Sequence, residues 1–407
     1  MKTSVLVLGN HRQTLIATRS LAAAGFRVVI GRQAKTAYSA HSRFVSEVWD
    51  HPPFRMDEEF VDSLVEFLRK RLDILYVFPI GEAELDCLAR HVAQVPDHSR
   101  VVMPEPSVVR ACLNKAETYQ IVSRLAIPLP RGECVNSLSA LVKAASSIGY
   151  PVIVKPRSGF QQFYERKAIF CRMESELVSS FAVWPQADEA VIVQKFFIGT
   201  RYNCEFAAID GRLLIYFEHK VVRSERSDDI GSEVEGVTVK PTAILQHYCE
   251  RLLLELKYSG IGCVQFLVDE PQGKVCFLEV NPRLDGSCAF PWHYGFDLPA
   301  LAVDIASGQR KANPPAVVVL PHYPVGKRIH WCYGDIQGLI DALKSGEVKF
   351  GGALHWVWNI LKSTLRANCH MTWWWKDPVP TLILYQRVLS TLWRRVKKTF
   401  ISGILFW

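Results

Sequence analysis

The chain has 407 residues, 49% hydrophobic and 22% charged. This ordinary globular composition excludes wholesale disorder and, at roughly 150 residues per domain, calls for two or three domains. The net charge is +8, but residues 350–407 carry +7 of it, with eight Lys/Arg against one acid. The remaining body is nearly neutral, so the net charge is no sign of nucleic acid binding, and no nucleic acid partner is expected. No run approaches the ~18 apolar residues of a spanning helix, and the N-terminal apolar run is too short for a signal peptide. Eleven cysteines, none in a CxxC pair, lie mostly in apolar runs. They read as reduced core residues in a cytoplasmic protein.

In chain order, SVLVL at 4–8 reads as a strand, followed by Gly9-Asn10, an amphipathic stretch to Gly25 and a second strand at 26–31. Helical stretches at 57–71 and 82–93 flank a strand at 73–78, and VVMP at 101–104 is one more short strand. This rhythm predicts a parallel α/β unit. From about residue 107 the texture changes. Helices at 137–148, 242–257 and 298–307 alternate with apolar strands at 149–156, 190–197, 203–217, 262–269 and 274–281, which predicts an α+β region with antiparallel sheets. The boundaries are expected at 1–108, 109–310 and 311–407.

The sharpest feature is GCVQFLVDEPQGKVCFLEVNPRLDGS at 262–287. Two strands flank the loop EPQGK. A hairpin symmetric about Gln272 sets Gln265 opposite Glu279 and Asp269 opposite Val275. Opposed residues share a face, with Cβ atoms about 5 Å apart. Alternation then puts Glu279, Asn281 and Arg283 on that face, and Cys276, Leu278 and Val280 on the core side. One carboxylate and two amide oxygens are hard ligands suited to Mg²⁺ or Mn²⁺, and a guanidinium can meet phosphate charge bidentately.

The Gln265, Glu279-x-Asn281-x-Arg283 pattern resembles the metal motif of the ATP-grasp superfamily, in its carbamoyl-phosphate-synthase-like branch. The resemblance covers roughly residues 1–310. It implies a preATP-grasp parallel α/β domain, then a two-subdomain nucleotide clamp of α+β type, with the Trp-rich basic C-terminal segment as an extension. It also implies that ATP and Mg²⁺ bind, with Gln265, Glu279 and Asn281 as metal ligands and Lys115 and Lys155 reaching the phosphates. Arg283 and Lys155 would stabilise the transferring phosphoryl group. VIVQKFFIG at 191–199 resembles the adenine-holding linker, bringing in Gln194, Lys195 and Phe197, with Glu205 as the nearest acid. Asp285, Ser287 and Trp292 would meet the substrate, and His219 and His293 would line the acceptor site. Two departures stand out: the phosphate-covering loop holds one glycine, Gly159, with Arg166 and Lys167 as cations placed to substitute. The linker also carries Lys195 and Arg201 where acids are usual.

The family activity implied is activation of a carboxylate by ATP through an acyl phosphate, followed by attack of an amine; both partners would be small molecules. The same site would serve a regulatory nucleotide-binding module, a bicarbonate- or carbamate-activating enzyme, or a membrane scaffold gated by ATP. Seven of the eleven tryptophans follow residue 350. A stripe of Leu382, Tyr385, Leu389, Leu392, Val396 and Phe400 predicts a basic amphipathic helix. It would either lie on the inner face of a membrane or dock on the body or on a second subunit.

Overall fold

The computed structural model describes residues 2–33, 37–157, 163, 167–184, 190–309 and 322–390. The first layer is a five-stranded sheet, β1 (Ser4–Leu8), β2 (Arg27–Arg32), β3 (Val45–Asp50), β4 (Ile74–Pro79) and β5 (Arg100–Val101), in the order β3-β2-β1-β4-β5. All four pairings are parallel. Every residue of β1 is buried, as a central strand covered on both faces requires; this is why SVLVL has no polar alternation. Helices α1 (Arg12–Ala23), α2 (Asp57–Arg69) and α3 (Glu82–His91) connect the strands. From β1 the chain passes to β2 on one side, while β4 pairs on the other. The ends of β1 and β4 therefore open a crevice, the place where open α/β sheets hold ligands. Helices α1 and α3 start there.

Helices α4 (Pro106–Leu113) and α5 (Lys115–Arg124) lead into a four-stranded antiparallel sheet of β6 (Gly132–Val135), β7 (Val152–Pro156), β8 (Ile169–Cys171) and β9 (Val191–Lys195), ordered β6-β9-β7-β8. Helices α6 (Leu138–Ile148) and α7 (Glu174–Ser180) cover it through Leu141, Ala145, Leu177 and Phe181.

A seven-stranded sheet follows, built of β10 (Thr200–Ile209), β11 (Arg212–Ser224), β12 (Glu233–Thr238), β13 (Gly260–Asp269), β14 (Lys274–Asn281), β15 (Arg328–His330) and β16 (Cys369–His370). Its order is β14-β13-β10-β11-β12-β15-β16, antiparallel except for β15 with β16. Helix α8 (Ala243–Glu255) packs Leu245, Cys249, Leu252 and Leu253 against Phe206, Tyr216, Phe266 and Phe277. Two further helices, α9 (Ala289–His293) and α10 (Leu298–Ser307), join the core of the first layer. Nine cysteines are buried; Cys134 is exposed and Cys332 partly so, and none is in a disulfide.

The segment past residue 322 adds α11 (Cys332–Lys344) and α12 (Phe350–Arg366), neither of which the sequence reading placed. A helix over 379–390 packs Leu384 against Leu15 and Tyr38. Here the expected stripe needs correction. Thr381, Leu384 and Val388 are buried while Leu382 and Leu389 are exposed, because the helix docks on α1 through a face rotated from the one read in sequence. Of that stripe, Leu392, Val396 and Phe400 lie outside the described residues. Among the described residues no helix is long and apolar enough to cross a membrane.

Candidate nucleotide and metal site

The hairpin β13–β14 pairs Gln265 with Glu279 and Cys263 with Asn281, as the symmetric register requires. Towards the turn the register shifts by one: Val268 pairs with Val275 and Asp269 with Lys274, through an irregularity next to Gln265. The extra residue, Leu278, has no cross-strand partner in that register, and its carbonyl accepts from Tyr119 Oη at 3.2 Å. A bulge of this kind inverts the facing beyond it. The expected core side therefore holds for Val280 and fails for Cys276. Phe277 fills the core instead, and Cys276 turns close enough to Lys155 to influence its charge.

Four cations converge on one carboxylate. Lys115 opens α5, where Asn114 caps the helix, and its Nζ lies 3.8 Å from Glu279 Oε2. Lys155 sits on β7, buried, and Lys167 precedes β8. Burial alone would raise the Glu279 carboxyl, but Lys115, Lys167, Lys155 and Arg283 outweigh it and bring it to about 2. Glu279 is thus ionised at every working pH. Asn281 Nδ2 is 3.4 Å from Glu279 Oε1, and both Asn281 and Gln265 are buried. The site is closed by the first layer: Arg283 Nη2 donates to Glu82 Oε1 at 2.5 Å and its Nη1 to Leu284 O at 2.9 Å. Glu82 stands in the first turn of α3, at the crevice after β4. A small cleft between the layers is lined by Glu82, Lys115, Thr118, Tyr119, Glu279 and Asn281.

Sequence reading passed over Glu82, and the signal was there: an acid opening a helix directly after a buried parallel strand at the crevice. Tyr119 was missed because its role depends on the bulge at Leu278.

Burial, reinforced by the like charge of Lys115, lowers the Lys155 ammonium to about 8, with Glu279 opposing. Lys155 is cationic below that pH and neutral above it. A bound phosphate favours the charged form, so ATP affinity is expected to hold near neutrality and to fall as pH rises through 8, by up to about tenfold per unit. Arginine stays charged throughout, so Lys155→Arg flattens the profile between pH 7 and 9.5. A wild-type profile without slope contradicts this assignment.

The other expected contacts separate. Gln194 is buried on β9 and close to Tyr119. Phe197 is half-buried beside Gly199. Lys195 Nζ donates to Gly149 O at 3.0 Å and Tyr150 O at 2.8 Å. It therefore satisfies carbonyls just past the C-terminal end of α6, and this accounts for a lysine where the linker pattern has an acid. Arg201 donates to Gly231 O at 2.8 Å. Trp292 packs edge-on against Trp374, 5.4 Å away, and His293 is exposed. Gly159 and Arg166 lie outside the described residues.

Glu205, Ser287 and Asp285 belong to a second buried cluster. Ser287 Oγ donates to Glu205 Oε1 at 3.0 Å; Glu233 Oε2 lies 3.1 Å from His219 Nε2 and accepts from Asn203 Nδ2 at 2.9 Å. Burial pushes the Glu205 carboxyl up. Burial would do the same to Glu233, but His219 outweighs it, and the two hold each other charged. Arg12, stacked 4.1 Å over Trp331, donates to Glu233 O at 3.0 Å. Gly286 leaves room for that guanidinium: a Cβ there would come within 2.1 Å of it. Glu205 Oε2, Glu233 Oε1, Asn203 Oδ1, His219 Nδ1 and Asp285 Oδ1 are buried with no hydrogen-bond partner among the described residues.

A parallel sheet, an antiparallel clamp and a carboxylate hairpin ringed by lysines define the ATP-grasp fold. Residues 114–313, just under half of the chain, match the family described as the carbamoyl-phosphate synthase L chain, ATP-binding domain, and through them the chain is similar to the ATP-grasp proteins of the carbamoyl-phosphate-synthase-like branch. Among curated proteins it is 26% identical over 224 residues to an Emericella nidulans protein provisionally assigned as a urea carboxylase; the match covers 51% of this chain and spans 18% of that relative. Biotin carboxylase of Campylobacter jejuni, solved with an ATP analogue, superposes with a TM-score of 0.60 at 16% identity, over 77% of this chain and 72% of that one. The biotin carboxylase domain of Hydrogenobacter thermophilus 2-oxoglutarate carboxylase, solved with MgADP and bicarbonate, gives 0.62 at 17% identity, over 77% and 71%. N5-carboxyaminoimidazole synthetase of Staphylococcus aureus, solved with ADP, gives 0.59 at 14% identity, over 77% and 80%.

Proposed function

We propose that the protein is an ATP- and Mg²⁺-dependent carboxylate–amine ligase working through an acyl phosphate. The observation that carries this reading is the convergence of Lys115, Lys155, Lys167 and Arg283 on Glu279, with Gln265 paired to it across the hairpin and Asn281 adjacent. Four cations against two carboxylates, Glu279 and the Glu82 that pairs with Arg283, leave an excess of positive charge, and a polyphosphate with a divalent ion restores the balance. The donor set fits Mg²⁺: one carboxylate and two amides, all hard oxygen donors, with Gln265, Glu279 and Asn281 as the holding residues. When bound, the ion would offset phosphate charge and orient the terminal phosphoryl group.

The chain's own residues do the rest. Lys115 and Lys155 hold phosphate oxygens. Arg283, kept in place by Glu82, presents positive charge where charge develops during transfer to the carboxylate. The surplus of unpartnered acceptors around Glu205, His219 and Glu233 supports an acceptor that donates hydrogen bonds, as an amine does. Asp285 and Ser287 flank that cluster.

A second reading, bicarbonate as the activated carboxylate, is favoured by the Hydrogenobacter thermophilus neighbour solved with bicarbonate. One screen separates the two. ADP release is measured with Mg-ATP across amino acids, dipeptides, sugar acids and bicarbonate, each with and without an amine. Release that requires both an organic acid and an amine supports ligation. Release driven by bicarbonate alone supports the second reading, and release indifferent to every addition overturns both.

A further inference from the structure

Helix α12 is amphipathic in the inverted sense. Its inward side carries hydrogen-bonding groups. Trp356 Nε1 donates to Asp335 Oδ1 at 2.7 Å, Ser363 Oγ donates to Glu235 Oε2 at 2.6 Å, and Thr364 Oγ1 lies 3.1 Å from His330 Nδ1. Its outward side is apolar: Leu354, Val357, Trp358, Leu361 and Leu365 are exposed by 57%, 42%, 63%, 52% and 86%. At about 100° per residue these five fall in one arc of about 100°, with His355, Lys362 and Arg366 along one edge of it. A helix facing water has no reason to show this side outward, and contiguous exposed apolar surface marks an interaction site.

The charge around the face selects the partner. Over the described residues 348–390 there are five Lys/Arg and one acid, Asp377. That acid is buried against Arg19, with both side chains 1% exposed. The segment therefore presents no exposed carboxylate. A second copy docked on this face by two-fold symmetry would bring like charges together. An anionic lipid surface takes both features: it receives the apolar arc with its tryptophan, and it attracts the cations.

We propose that the outward face of α12 is a membrane-docking surface for anionic lipid, lying in the plane of the interface. It is independent of the ligase reading. The test is flotation of the full chain with vesicles of phosphatidylcholine alone or doped with phosphatidylglycerol, at low and high salt. The expected result is binding to the doped vesicles, weakened by salt, with a blue shift of tryptophan emission. The triple variant Trp358→Glu, Leu361→Glu, Leu365→Glu is expected to reduce binding roughly tenfold or more. Because Leu365 is nearly fully exposed, Leu365→Glu alone gives a folded variant with a measurable loss should the triple one fail to fold. Absence of binding to doped vesicles overturns the proposal, as does undiminished binding of the variants. A dimer in light scattering that the triple variant dissolves, without vesicle binding, also overturns it.

Discussion

Glu279→Gln lowers Mg-ATP turnover by roughly 10²–10³-fold, the loss that follows removal of one preorganised electrostatic group from a reacting centre. The substitution keeps the shape of the side chain and removes its charge. Glu279 is the anion on which Lys115, Lys155, Lys167 and Arg283 converge, and it pairs directly with Gln265 across the hairpin. The neutral amide removes the carboxylate on which the three lysines converge, leaves Arg283 paired with Glu82 alone, and gives a divalent ion no carboxylate. The hairpin itself is held from its other face by Val264, Phe266, Phe277 and Val280, so circular dichroism and the melting profile stay near wild type. ADP release with the acid and amine that the screen identifies is the readout. A variant with full turnover would remove Glu279 from the site.

Asp377→Ala destabilises the chain by about 3–5 kcal/mol. Asp377 Oδ2 accepts from Arg19 Nε at 3.0 Å and from Ser42 Oγ at 2.8 Å, and its Oδ1 accepts from Arg43 N at 3.0 Å. The same guanidinium donates to Thr372 O at 3.0 Å and Asp377 O at 3.1 Å. Removing the carboxylate leaves Arg19 charged and buried on α1. Replacing both partners, Arg19→Met with Asp377→Leu, is much milder, because no unpaired charge remains. Urea denaturation of the two variants checks the contrast; a loss below about 1 kcal/mol for Asp377→Ala would contradict it. This pair fastens the C-terminal segment to the first layer, beside Trp374, which stacks on Phe44 at 5.6 Å.

These two sites differ in how far the sequence reveals them. The Gln265–Glu279 pairing is local: a short turn and alternation set it, so counting from the turn finds it. The same count fails at the next residue towards the turn, because the bulge depends on Tyr119 and on Pro128, whose carbonyl accepts from Phe277 N at 2.8 Å. Both contacts come from outside the hairpin. Helices α1, α3, α8 and α10 were legible from apolar periodicity and their flanking turns.

Arg19–Asp377 was not legible, since nothing local links residues separated by most of the chain. Lys195 shows a subtler limit. Its position in the linker was readable, but the carbonyls of Gly149 and Tyr150 that hold its ammonium belong to another element. Helix α12 escaped notice because its inward side mixes polar groups, Trp356, Ser363 and Thr364, with the apolar Ile360. A reading that sends apolar residues inward turns it the wrong way round.

Residues 265–283, with Lys115 and Lys155, are assigned as a Mg-ATP site. The most direct measurement is calorimetric titration of ATP into the full chain, in Mg²⁺ and in EDTA, for wild type, Glu279→Gln and Lys115→Met. Under this assignment wild type binds ATP saturably, and binding weakens sharply in EDTA. Glu279→Gln loses the Mg²⁺ dependence, and Lys115→Met loses affinity in both conditions. Equal ATP affinity in all three proteins, with or without Mg²⁺, would contradict it.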